Sequence, residues 1–155
     1  SIAGLLEGPW LLYDNSSQPP FYFLFYSANS CRSGHYAIGV ARSASLLGPY
    51  AKLAEPLLAT SANASSPFLD PGHCSVVRSS AGRGGAARHD ALMVYGAFQR
   101  NASNGRRLLD RGRQMMFARL SFGRDRWPRI LNPLHPSDRQ HRMHELQPSI
   151  LDTLG

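Results

Sequence analysis

Apolar side chains in this chain come in short runs, each closed by Pro, Gly, Asn or Ser, and they almost never recur at helical spacing. That punctuation predicts strands joined by turns, an all-β chain. Pro9 to Tyr13 and Phe21 to Ser27 are two such runs, separated by the turn-rich Asn15-Ser16-Ser17-Gln18-Pro19-Pro20. Phe21-Tyr22-Phe23-Leu24-Phe25-Tyr26 is dense enough in aromatics to read as a strand buried on both faces. Tyr36 to Arg42 alternates like a third strand. Leu46-Leu47-Gly48-Pro49-Tyr50 then turns the chain into a short fourth at Ala51 to Leu53.

The rhythm repeats. Cys74 to Ser79, Ala91 to Ala97, Gln114 to Phe122 and Trp127-Pro128-Arg129-Ile130 form a second set, with Gly/Arg-rich and Asn/Gly/Arg-rich loops at 79–90 and 99–111. Four strands in about 45 residues is the size of one antiparallel propeller blade. Residues 1–131 therefore read as the folded part. Residues 132–155, rich in Pro, His and Arg and without periodicity, read as an irregular tail.

Charge and cysteine content narrow the function classes. The net charge of +7 comes from 16 Arg and the single Lys52, and the arginines are scattered from Arg32 to Arg142 with no run of five. Scattered arginine can attract acidic polymers, but a basic pI without a patch is a weak nucleic-acid footprint. No apolar stretch reaches the roughly 18–20 residues of a bilayer span, so no membrane partner is expected. Ser1-Ile2-Ala3-Gly4-Leu5-Leu6 has neither Met nor a basic start and reads as a cut edge rather than a secretory signal. Three glycosylation sequons at Asn15, Asn63 and Asn101 tilt the balance toward a secreted or extracellular protein. In that compartment Cys31 and Cys74 could pair as a disulfide; the alternative is two separate buried thiols.

Two segments carry chemistry: Glu7-Gly8-Pro9-Trp10, and Asp70-Pro71-Gly72-His73-Cys74-Ser75-Val76-Val77, the latter read as a Pro-Gly turn entering a strand. Between them lie Tyr36-Ala37-Ile38-Gly39-Val40-Ala41-Arg42-Ser43 and Leu47-Gly48-Pro49-Tyr50. In this order they resemble glycoside hydrolase family 43, the five-bladed β-propeller enzymes that cleave arabinose and xylose linkages. The resemblance runs from about Glu7 to Ile130. It implies a partial propeller of about two to two and a half blades, beginning in the middle of the fold.

The resemblance also assigns roles. The family's general acid is the Glu of its Glu-Gly-Pro motif, which Glu7 matches; a glycosidase needs such an acid to protonate the leaving oxygen. His73 matches the family's channel histidine, which helps hold a calcium ion or a water cluster. Calcium prefers oxygen, so His73 would be a minority ligand or act through water. Arg113 opens the segment in which the family's arginine reaches toward the substrate centre, where a guanidinium can hold sugar hydroxyls. Trp10, Phe25 and Tyr26 could stack on a sugar ring, although aromatic strands more often build core. Two departures stand out: Asp70 where the family has Gly, and Gly96 where it has His.

The second carboxylate of an inverting glycosidase, about 6.5–9.5 Å from the acid, lies in the family N-terminal to the Glu-Gly-Pro motif. Only six residues precede Glu7 here. Asp14, Asp70, Asp90, Asp110 and Asp125 match none of the family's acidic positions. The expectation is thus part of an arabinosidase- or xylosidase-type enzyme, inactive alone, monomeric when complete, with an oligo- or polysaccharide partner and no required cofactor. The alternatives are a non-catalytic carbohydrate-binding propeller and an arginine-rich binder of acidic polymers.

Overall fold

The computed structural model describes residues 4–16, 18–31, 33–60, 68–78 and 91–134. The sequon at Asn63, the loop at 79–90 and the chain from 135 onward lie outside the described residues.

Two antiparallel sheets pack face to face. The first contains β1 (Leu6–Asp14), β2 (Phe21–Ala28), β3 (Ala37–Ser43) and β4 (Ala51–Lys52), paired in that order, with β5 (Leu58–Ala59) also paired to β3. The second contains β6 (Phe68–Arg78), β7 (Ala91–Gln99), β8 (Arg113–Phe122) and β9 (Pro128–Leu134) in chain order. A 3-10 turn, Leu109–Arg111, precedes β8. β9 continues to Leu134, three residues past the expected boundary at 131.

Strand alternation builds the core. Phe23, Phe25, Ile38 and Val40 project from the first sheet onto Val76, Met93, Tyr95, Met116 and Leu120 of the second. The aromatic run of β2 is buried on one face only. Phe23, Phe25 and Ser27 are enclosed, while Leu24 and Tyr26 face outward beside Leu11 and Tyr13, which are 46% and 48% exposed. An outward apolar face also marks the second sheet, where Val77 and Met115 are each more than half exposed.

The Asp70-Pro71-Gly72-His73 segment is not a turn before a strand. It lies inside β6, which is interrupted by two register shifts, between Leu69 and Gly72 and between Gly72 and Ser75. Pro71 has no N–H to give a ladder, and bulges absorb that loss. Asp70 and His73 sit at φ 54° and 56°, a left-handed conformation that non-glycine residues adopt only when their surroundings enforce it.

Side chains tie the two sheets together. Trp10 Nε1 donates to the Val76 carbonyl at 2.7 Å. Arg42 donates to the Asp125 carbonyl at 2.6 Å and lies 4.0 Å over the Trp127 ring. Asp14, 6% exposed, meets Arg78 at 2.6 Å and accepts from the Ser16 hydroxyl and N–H. Burial alone would raise the Asp14 carboxyl, but the Ser16 and Arg78 contacts outweigh it and hold it below its ordinary value.

A depressed folded-state value stabilises the protein above the unfolded carboxyl range, and that contribution is lost as pH falls through it. Asp14→Asn should therefore be less stable than the parent at neutral pH, with the gap closing below about pH 4. Chemical unfolding followed across pH 3 to 7 measures this; a constant gap would show that Asp14 contributes through shape alone. The two apolar outer faces should make the 155-residue chain associate when isolated. Sedimentation is the readout, and Leu11→Lys with Val77→Lys should shift it toward monomer while circular dichroism stays unchanged.

Candidate active site

At one end of the stacked sheets, β1, β2, the approach to β3, and β6 and β8 bring a group of polar side chains together. Glu7 follows Leu6 at the start of β1 and pairs across the ladder with Ser27, just before a register shift that takes in Gly8 and Pro9. The bulge turns Glu7 toward Tyr36, whose hydroxyl donates to Glu7 Oε1 at 2.5 Å. Gly8, at φ 58°, lies so close to β6 that a Cβ there would stand 3.2 Å from His73 Nδ1.

Tyr36 is 1% exposed. Its phenol is pushed up to about 12, first by burial and next by the hydrogen bond to Glu7, with a bond from Ser27 pulling the other way. The ring crosses directly over Gly72, where a Cβ would fall inside it. Arg113 lies 5.1 Å above the same ring and 5.5 Å from Phe98. It donates to the carbonyls of Asp70 at 3.0 Å and Gly96 at 2.6 Å, pinning the bulged strand to β7. A Cβ at Gly96 would come within 3.1 Å of Arg113 Nε, so the missing side chain at this position makes the room that the guanidinium fills.

Glu7, His73 and Arg113 thus share one end of the fold. His73 is exposed, and its N–H donates to Ser27 Oγ at 2.6 Å. Trp10 is nearby on β1, 36% exposed, with its indole N–H already engaged on Val76. Phe25 is core, and Tyr26 lies over Gly39 on the outer face. There Leu6, Glu7, Pro9, Leu24, Tyr26 and Lys52 line an open hollow of about 370 Å³.

Asp70, 1% exposed, carries a 2.6 Å ion pair to Arg107. Its N–H donates to Thr60 Oγ1 at 2.8 Å. Among the described residues no group of three or more His, Cys, Asp or Glu side chains could hold a metal ion. With Asp70 committed to Arg107, His73 has no carboxylate cage beside it, and these residues do not fit a protein-built calcium site. Cys31 and Cys74 are both free thiols. Cys74 points into the core, where burial pushes it up to about 12, while Cys31 stays half-exposed in the turn before β3; of the two alternatives, the separate thiols are the one found, although Cys31 is not fully buried.

Sequence reasoning missed Tyr36, Ser27 and Arg107. The first two had a signal: β1, β2 and β3 run antiparallel, so the end of β1 that carries Glu7 must lie beside the end of β2 and the entry to β3.

Gly72→Ala should force the Tyr36 ring out of place, costing about 1–3 kcal/mol as core overpacking typically does. Thermal melting checks this, and an unchanged melting temperature would mean the ring can retreat without cost.

Residues 2–128 match the family model described as glycosyl hydrolases family 43. No curated protein matches the chain. Solved structures do. An α-L-arabinofuranosidase from Lactobacillus brevis is 27% identical with a TM-score of 0.59, the match covering 84% of this chain and 38% of that one. An endo-1,4-β-xylanase from Bacteroides thetaiotaomicron is 23% identical with a TM-score of 0.61, covering 83% and 38%. An α-L-arabinanase from Cellvibrio cellulosa, solved with arabinohexaose, is 21% identical with a TM-score of 0.55, covering 81% and 36%. The two sheets match part of the propeller in these proteins, and the chain spans well under half of their length.

Proposed function

This chain belongs to glycosyl hydrolase family 43, and on that footing we propose that it supplies the acid half of a glycosidase active site. In this reading the complete protein hydrolyses α-L-arabinofuranosyl or β-D-xylosyl linkages of an oligo- or polysaccharide with inversion. Glu7 protonates the leaving oxygen. The observation that carries the reading is the placement of Glu7 at the end of the sheets, its carboxyl held by a buried tyrosine beside His73 and Arg113.

His73, Arg113 and Trp10 are the candidate walls of the sugar site. The water-activating base is the part these residues do not supply. Among the described carboxylates Asp14, Asp70 and Asp125 each hold an arginine. Following the resemblance, the base of the complete protein belongs to an earlier blade, and without it Glu7 alone does not complete the reaction. Asn15, the acceptor of one sequon, is exposed just beyond β1, which supports a secreted protein. The reaction calls for no cofactor, because proton transfer and water attack need only the two carboxyl groups.

Glu7→Gln in the complete protein should lower turnover on substrates with poor leaving groups by about 10²–10⁴-fold while leaving saccharide binding intact. Paired aryl arabinofuranoside and xyloside substrates would separate the two specificities. Unchanged turnover would remove Glu7 from the acid's role. Saccharide binding without hydrolysis by the unmutated complete protein would favour the non-catalytic propeller instead.

A further inference from the structure

Resting on the reading of Glu7 as the acid, a second assignment concerns how its carboxyl is held. Ser27 is fully buried and stands opposite Glu7 in the β1–β2 ladder. The His73 N–H donates to Ser27 Oγ at 2.6 Å. A backbone N–H can only donate, so Ser27 Oγ accepts there and keeps its own proton for another partner. The Tyr36 hydroxyl donates to Glu7 Oε1 at 2.5 Å, on the residue that Ser27 faces across the ladder, so the phenol is the acceptor placed nearest that proton's path. We infer that His73 N–H, Ser27, Tyr36 and Glu7 form a one-way hydrogen-bond relay that makes Oε1 a permanent acceptor and leaves Oε2 as the oxygen carrying the transferable proton.

The surrounding structure holds the relay rigid. Gly72 lets the Tyr36 ring pass, and Arg113 closes over its other side while gripping the carbonyls of the bulged strand. The left-handed turn at His73 aims its N–H at Ser27. His73 therefore contributes through its main chain as well as through its exposed imidazole.

During turnover Glu7 Oε2–H gives its proton to the glycosidic oxygen as the anomeric carbon–oxygen bond breaks, the bonding pair leaving on that oxygen. A water oxygen forms the new bond to the anomeric carbon and passes its proton to the base. As Oε2 loses its proton, negative charge spreads onto Oε1, and the Tyr36 bond becomes charge-assisted. The relay thus strengthens in the transition state, where a hydrogen bond accelerates the step instead of merely binding substrate. Tyr36 and Ser27 are positioning residues, acting through Glu7.

The experiment is hydrolysis by the complete protein carrying Tyr36→Phe, Ser27→Ala, both together, or Glu7→Gln. Each is assayed on a saccharide leaving group and on a dinitrophenyl leaving group that needs no proton. Tyr36→Phe should lower kcat on the saccharide by about ten- to hundredfold, with KM unchanged. On the dinitrophenyl substrate the loss should stay under about threefold. Ser27→Ala should show the same pattern more weakly, and the double variant should be no worse than Tyr36→Phe alone, because the two act in series. Equal losses on both substrates, or additive losses in the double variant, would overturn the relay while leaving Glu7 as the acid. If Glu7→Gln itself spares saccharide turnover, the acid assignment falls and the relay with it.

Discussion

The ring of Tyr36 lying over Gly72 is the contact on which the rest of the site depends. It is where the entry to β3 meets the bulged strand β6, so it joins the two sheets at the end that carries Glu7. A buried phenol must find hydrogen-bond partners or lose more than its packing contributes. Here the partner is the partly exposed Glu7, with fully buried Ser27 opposite it in the ladder. Satisfying the phenol and orienting the carboxyl are the same act.

Arginine has a different use from the one its abundance suggests. Read along the chain, 16 arginines make a basic protein with an affinity for acidic polymers. In the fold, several lie half-buried against aromatic rings and main-chain carbonyls. Arg42 rests on Trp127, Arg78 on Phe122, Arg113 on Tyr36 and Phe98, and Arg126 lies over Phe21 while donating to the Pro19 carbonyl. Guanidinium suits this work because it is planar, stacks on rings and is weakly hydrated for a cation. A sheet pair with many small and aromatic side chains gains struts that lysine could not provide. This use of arginine weakens the polymer-binding alternative, because half-buried, hydrogen-bonded guanidiniums are poorly presented to a polyanion.

Much of the architecture was legible in the residues. The two strand sets follow the runs at 9–13, 21–27, 36–42, 91–97 and 114–122 within a few residues, since period-two alternation and turn residues are local signals. Two readings failed and one strand went unread, each for an identifiable reason. β2 looked doubly buried because its outward face is nearly as apolar as its inward one. Asp70-Pro71-Gly72 looked like a turn because bulges and turns draw on the same residues. β5, two residues long, carries too little pattern to announce itself. The departures at Asp70 and Gly96 also changed meaning: each is matched by an arginine, Arg107 and Arg113, that occupies what the substitution made available.

The amino-acid sequence by itself determined the all-β class, the two successive strand sets, and the motif that nominates Glu7, because hydropathy period, turn chemistry and a short motif are properties of neighbours in the chain. Only the tertiary structure decided that Tyr36 holds Glu7, that Ser27 and the His73 main chain stand behind it, and that Arg113 clamps the backbone it crosses. Those contacts join residues 17 to 46 positions apart. Their partners are chosen by strand register and by two bulges, and a one-residue slip in either would send each side chain to the opposite face.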